Sequence, residues 1–278
     1  MLPTTPSSNG HLQQAWLICQ FELIRLFFTK RGAILLIAFS VVWFLILKYP
    51  VFESVKILSN PNFGENITVF SSQLNLQQIV QWPYSELAVY WLFAVFAFPI
   101  TSVLMSSDQL ASDTNRGTVR FLLLRSTRSQ LLYGRFFGQV LIIASLITMT
   151  ALAALIMGMV RDISLLSSSF DELANIGLNL LISCLPFIAL TSLLNVISKS
   201  SKLSVVLIVI LIPVLTGLIS YLTQYISFIE YLLWIIPGLQ LTETVQGLGF
   251  SVNTTLLPLA QTAVYLAICH LTLTRRAL

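Results

Sequence analysis

Residue types that support chemistry are scarce in this chain, and their scarcity restricts what it can do. The two histidines, His11 and His270, stand near opposite ends. The three cysteines, Cys19, Cys184 and Cys269, show no paired spacing for a metal site or a disulfide framework and read as small apolar packing residues. No G-x-x-x-x-G-K-[ST] phosphate loop, H-E-x-x-H zinc pattern or G-x-S-x-G nucleophile elbow occurs. The expectation is a chain without catalytic residues, metal or cofactor of its own. Among the polar groups inside the apolar runs are the amides Asn175, Asn179, Asn195, Gln224 and Gln261. Such amides can line a path for a solute. In apolar helices they more often bridge neighbouring helices, and that is the favoured reading.

One long polar stretch stands between two apolar ones, from Ser106 to Gly138. It carries five arginines, Arg116, Arg120, Arg125, Arg128 and Arg135, against two carboxylates, Asp108 and Asp113. Gly117-Thr118 interrupts it, and Val119, Phe121, Leu122, Leu123 and Leu124 follow. The segment is too charged to sit in lipid and too apolar for an idle loop. It reads as a short amphipathic helix in contact with lipid headgroups or with another protein.

The elements around it are apolar. Charged residues are 9% of the 278, against about 25% in soluble proteins. Hydrophobic residues are 56% and the mean hydropathy is +0.86, which places the chain in the membrane. Six runs approach the length that crosses a hydrocarbon core: 32–49, 87–107, 136–160, 173–198, 203–228 and 256–274. None has a charge in its central part. The expected fold class is therefore an all-α polytopic membrane protein, one transmembrane domain over 1–278. Residues 11–31 are expected to form an interfacial amphipathic helix. Its polar stripe would be His11, Gln14, Glu22, Arg25 and Thr29, with Trp16, Leu23 and Phe27 on its apolar side. Packing on the protein's own surface is the alternative.

Six crossings put both termini on one side. With that side taken as cytoplasmic, twelve of the fifteen Lys and Arg residues lie inside; Lys48, Lys56 and Arg161 lie outside. Eight of the eleven carboxylates lie outside. This is the positive-inside pattern, and it explains the formal charge of +4 as sorting across a bilayer, with no nucleic-acid partner implied. No cleavable signal peptide is visible, so the first span is expected to act as its own insertion signal. The segment 229–253 is apolar but broken by Pro237-Gly238, Gly247 and Gly249, and is expected to dip to the outer interface as one or two short helices.

Asp108, Asp113, Gly117-Thr118, Leu122-Leu123-Leu124, Arg128 and Gly134-Arg135, in that order between two spans, carry a resemblance. The pattern resembles the membrane subunit of a type 2 ATP-binding-cassette exporter, and the six-span layout extends the resemblance over the chain. Asp113 stands where that family usually has Glu, and Ser126-Thr127 where it often has a proline. The resemblance implies a coupling helix between spans 2 and 3, in the cytoplasmic 108–135 segment, that docks on a separate ATPase subunit, which would bind ATP and Mg. It also implies a second permease copy or a homologous permease, and a bacterial inner (plasma) membrane location with cytoplasmic termini. In its terms Asp108 and Asp113 would pair with Arg116, Arg120 or the ATPase, and Gly117 with Thr118 would make the turn. Phe121 and Leu122 to Leu124 would supply the docking surface, and Arg128 with Arg135 would anchor the return to the membrane. Asn175, Asn179, Gln224 and Gln261 remain the candidates for a pathway lining. The competing readings are an ion-driven carrier or channel, disfavoured by the uncharged spans, an integral-membrane enzyme, disfavoured by the lack of any catalytic constellation, and a membrane anchor or assembly factor of another complex.

Overall fold

A computed structural model describes residues 8–53, 85–107, 126–161, 166–198, 200–226, 228, 230–246 and 251–275. The chain is an all-α polytopic membrane protein, and no strand occurs among the described residues. Six helical stretches are long and apolar enough to cross a membrane. They are span 1 (Gly32–Val51), span 2 (Ser85–Ser106), span 3 (Arg128–Val160), span 4 (Phe170–Ser198), span 5 (Ser201–Leu222) and span 6 (Val252–Arg275). An N-terminal helix, Ser8–Phe28, precedes them. Thr29 turns the chain from that helix into span 1. Its hydroxyl donates to the carbonyl of Arg25 at 2.6 Å and accepts from the Gly32 amide at 3.2 Å. The corner is tight: a Cβ on Gly32 would fall 1.9 Å from the Leu26 carbonyl oxygen.

Spans 2, 3 and 4 form the centre and bury most of the large side chains. Tyr90, Trp91 and Phe98 of span 2, Ile143 of span 3 and Ile188 of span 4 are fully buried. Trp43 of span 1 packs on Phe98 and Tyr90 with ring centroids 5.0 and 5.5 Å apart, which fixes span 1 against span 2 through aromatic contact. The Tyr90 hydroxyl meets Thr150 Oγ1 at 3.0 Å and so satisfies two buried polar groups across spans 2 and 3. Span 4 packs on spans 2, 3 and 6. Spans 1 and 5 are peripheral; only 12% of the apolar window of span 5 is buried, against 61% for spans 2 and 4.

Two boundaries differ most from those read in the sequence. Span 3 begins at Arg128, well before Phe136, because a capping box starts the helix. The Thr127 amide donates to Gln130 Oε1 at 2.7 Å, and the Gln130 amide donates to Thr127 Oγ1 at 3.3 Å. Span 5 ends at Leu222 and not at Phe228. There the Thr223 hydroxyl donates to the Ser220 carbonyl at 2.7 Å, and the Gln224 amide closes a turn onto Tyr221. Gln224 therefore lies beyond the helix and is exposed.

Candidate functional site

The two ends of the segment joining spans 2 and 3 are described, and both are built from polar contacts between helices. Asp108, Asp113, Arg116, Gly117, Thr118, Arg120 and the run Phe121 to Leu124 lie outside the described residues. Span 2 closes with Ser102 and Ser106, buried, their hydroxyls bonded back to carbonyls of their own helix. The carbonyl of Ser106 also accepts from Asn195 Nδ2 of span 4 at 3.2 Å. On the return side, Arg128 is the first residue of span 3. Its Nη1 donates to the carbonyls of Leu273 at 2.7 Å and Thr274 at 3.3 Å, in the last turn of span 6.

Next along span 3 comes the contact with the N-terminal helix. Gly134 and Gly138 lie one turn apart and let that helix come close. A Cβ on Gly134 would stand 2.8 Å from the Ala15 carbonyl oxygen and 2.9 Å from Ile18 Cβ; one on Gly138 would stand 3.0 Å from Glu22 Cβ. Between the two glycines, Arg135 points into the crossing. Its Nε lies 3.8 Å from Glu22 Oε1, with both side chains buried, and Arg25 approaches the other Glu22 oxygen at 3.6 Å. Cys19 sits on the same face, and burial followed by the nearby Glu22 carboxylate raises its thiol pKa. The polar stripe expected to face water thus departs from expectation at Glu22. The carboxylate faces span 3, because a buried guanidinium there needs an anion. Trp16, Leu17, Phe21, Ile24 and Phe28 of the same helix are exposed.

At the opposite end of the bundle, two short helices, Glu230–Leu233 and Gln240–Gln246, precede span 6. Gly238 turns the chain between them with φ +113°. The turn is held by span 6: Gln261 Nε2 donates to the Trp234 carbonyl at 2.7 Å, Gln240 Nε2 donates to Gln261 Oε1 at 2.8 Å, and the Tyr265 hydroxyl donates to the Ile235 carbonyl. Trp91 Nε1 of span 2 reaches the Val245 carbonyl at 3.4 Å. A groove of about 310 Å³ opens beside this pair, lined by Trp234, Leu239, Glu243, Asn253 and Leu257 among others. Of the remaining amides, Asn179 Nδ2 donates to the Asn175 carbonyl of its own helix at 2.9 Å, and Asn175 is half-buried.

The sequence that builds this bundle matches a known family. The model of the ABC-2 family transporter proteins covers residues 21–278. The chain belongs to that family. No curated protein matches it. As an ABC-2 chain it is a transmembrane transporter component, and it is an integral multi-pass membrane protein. The structure brings together groups that sequence reading left apart: Glu22 with Arg135, Asn195 with the end of span 2, and Arg128 with the end of span 6. Two sequence signals pointed there. Thr127-x-x-Gln130 is a capping box, and Gly134-x-x-x-Gly138 is the small-residue spacing of close helix crossings.

Proposed function

We propose that this chain is the permease subunit of an ATP-driven exporter in a bacterial inner membrane, with both termini cytoplasmic. The segment from Asp108 to Arg128 docks on a separate ATPase subunit that binds ATP and Mg. A second copy or a homologous permease completes the membrane part. The observation that carries the reading is family membership together with a basic segment that holds Phe121 and Leu122 to Leu124 in its middle. Apolar side chains in so charged a stretch need a cover, and burying one at an interface contributes about 1.5–3 kcal/mol. Asp108, Asp113, Arg116 and Arg120 surround that apolar patch with charge, Gly117 and Thr118 turn the chain, and Arg128 begins the return. Asn175, Asn179 and Gln261, with Gln224 in the turn after span 5, are among the polar groups a translocation route has available. The reading of an ion-driven carrier has no mid-span carboxylate or base to work with.

The test replaces Phe121 and Leu123 together by Asp and compares the double variant with the wild-type chain. The ATPase that co-purifies with wild type in detergent is expected to be lost from the variant, which still inserts as a membrane protein. A variant that retains the ATPase at wild-type stoichiometry, with the same ATP hydrolysis by the complex, makes the segment a headgroup anchor and ends the coupling assignment.

A further inference from the structure

A helix ends with carbonyls that have no partner in their own helix and that carry the negative end of its dipole. Two such ends flank the segment between spans 2 and 3, and each is capped from another span. Asn195 is 2% exposed, and its Nδ2 donates to the Ser106 carbonyl, where span 2 stops. An amide at that depth is costly unless bonded, so the contact holds spans 2 and 4 together at the point where the chain leaves the bundle. Where the chain returns, the Arg128 guanidinium bridges the Leu273 and Thr274 carbonyls at the end of span 6. A cation suits the negative end of that helix, and a planar group with several donors can serve two carbonyls at once. The capping box at Thr127 and Gln130 fixes where Arg128 starts span 3.

We infer that the docking segment is pinned at both ends, through Asn195 to span 4 and through Arg128 to span 6. A displacement imposed on the segment is therefore delivered to four spans, not only to the two it joins. Asn195 and Arg128 are positioning residues in this scheme. The inference rests on the ATPase-docking reading above, and the experiment separates the two.

The three native cysteines, all buried, are replaced by Ala. An environment-sensitive fluorophore is then placed on a single cysteine at exposed Ile197 of span 4 or exposed Leu271 of span 6. Each labelled permease is assembled with its ATPase in lipid nanodiscs, and emission is read without and with ATP and Mg. In the parent both positions respond. Arg128→Gln loses the response at 271 and keeps it at 197; Asn195→Leu does the reverse; co-purification of the ATPase is measured for each, and responses are compared between complexes that retain it. Arg128→Lys, which keeps a cation but one donor head, restores part of the response at 271. If either variant fails to assemble, Arg128→Lys and Asn195→Ser are read instead, with a weakened response in place of a lost one. Equal responses at both positions in the variants overturn the inference, as does loss of both responses from a single substitution. A parent that binds its ATPase but responds at neither position also overturns it, while the docking reading stands. A parent that binds no ATPase overturns the docking reading and this inference with it.

Discussion

At the scale of single residues, the buried ion pair between Glu22 and Arg135 is the contact with most at stake. Their separation of 3.8 Å, with the two side chains 1% and 3% exposed, leaves little water to screen either charge. Removing one partner of a buried ion pair costs about 3–5 kcal/mol, whereas replacing both by apolar groups of similar size is often neutral. Arg135→Met alone is expected to lower the thermal midpoint of the detergent-solubilised protein, as is Glu22→Gln. The double variant Glu22→Met, Arg135→Met should recover most of the loss. Arg25, half-exposed beside Glu22, softens the effect of Arg135→Met, because it leaves the carboxylate one cation. The check is a double-mutant cycle on the melting midpoint. Additive losses mean that the two charges are independent and that the pair contributes nothing to the crossing.

At the scale of elements, the N-terminal helix docks on span 3 because Gly134 and Gly138 leave room for its backbone. Leu at position 134 has no space against the Ala15 carbonyl and Ile18, so Gly134→Leu should lift the helix. Cys19 reports this directly. It is buried, and its thiol pKa is raised, so in wild type it should resist maleimide at neutral pH; in Gly134→Leu it should react, as peptide mapping would show. Equal protection in both proteins would falsify the role given to the glycines. The spans were legible in the sequence because lipid demands long runs of one composition, and composition is local. Which face of the N-terminal helix meets protein was not legible: Glu22 has the same polarity whether its neighbour is water or Arg135, and that neighbour is distant in the chain. The start of span 3 was legible in Thr127 and Gln130, but the arginines around them masked it as loop. The short helices before span 6 follow from Pro237-Gly238, while the grip of Gln261 on Trp234 depends on how far span 6 overlaps the turn. The residues proposed to dock, from Asp108 to Leu124, lie outside the described residues and are read from sequence and family.

At the scale of the whole molecule, burial and charge are distributed along different axes. Burial runs from the centre outward: spans 2 and 4 are enclosed, while span 5 exposes Val209, Ile210, Val214 and Leu218 to whatever surrounds it. Charge runs from one end of the bundle to the other. Arg25, Lys30, Arg128, Arg135, Lys202 and Arg275 belong to helix ends that the topology places on one side, and Lys48, Glu53, Glu86 and Glu243 to the other. Arg128 on the end of span 6 and Glu22 on Arg135 join the basic end into one polar layer. The positive-inside rule predicts the basic layer on the cytoplasmic side, since Lys and Arg in short flanking segments resist translocation. Single cysteines at Glu65 and Asn115, in a background where Cys19, Cys184 and Cys269 are Ala, test the orientation. An impermeant maleimide added to sealed cells should label position 65 and leave position 115 unlabelled until the cells are opened. Labelling of 115 in sealed cells would put the docking segment outside, beyond the reach of any cytoplasmic ATPase. It would leave the exporter reading without a source of energy.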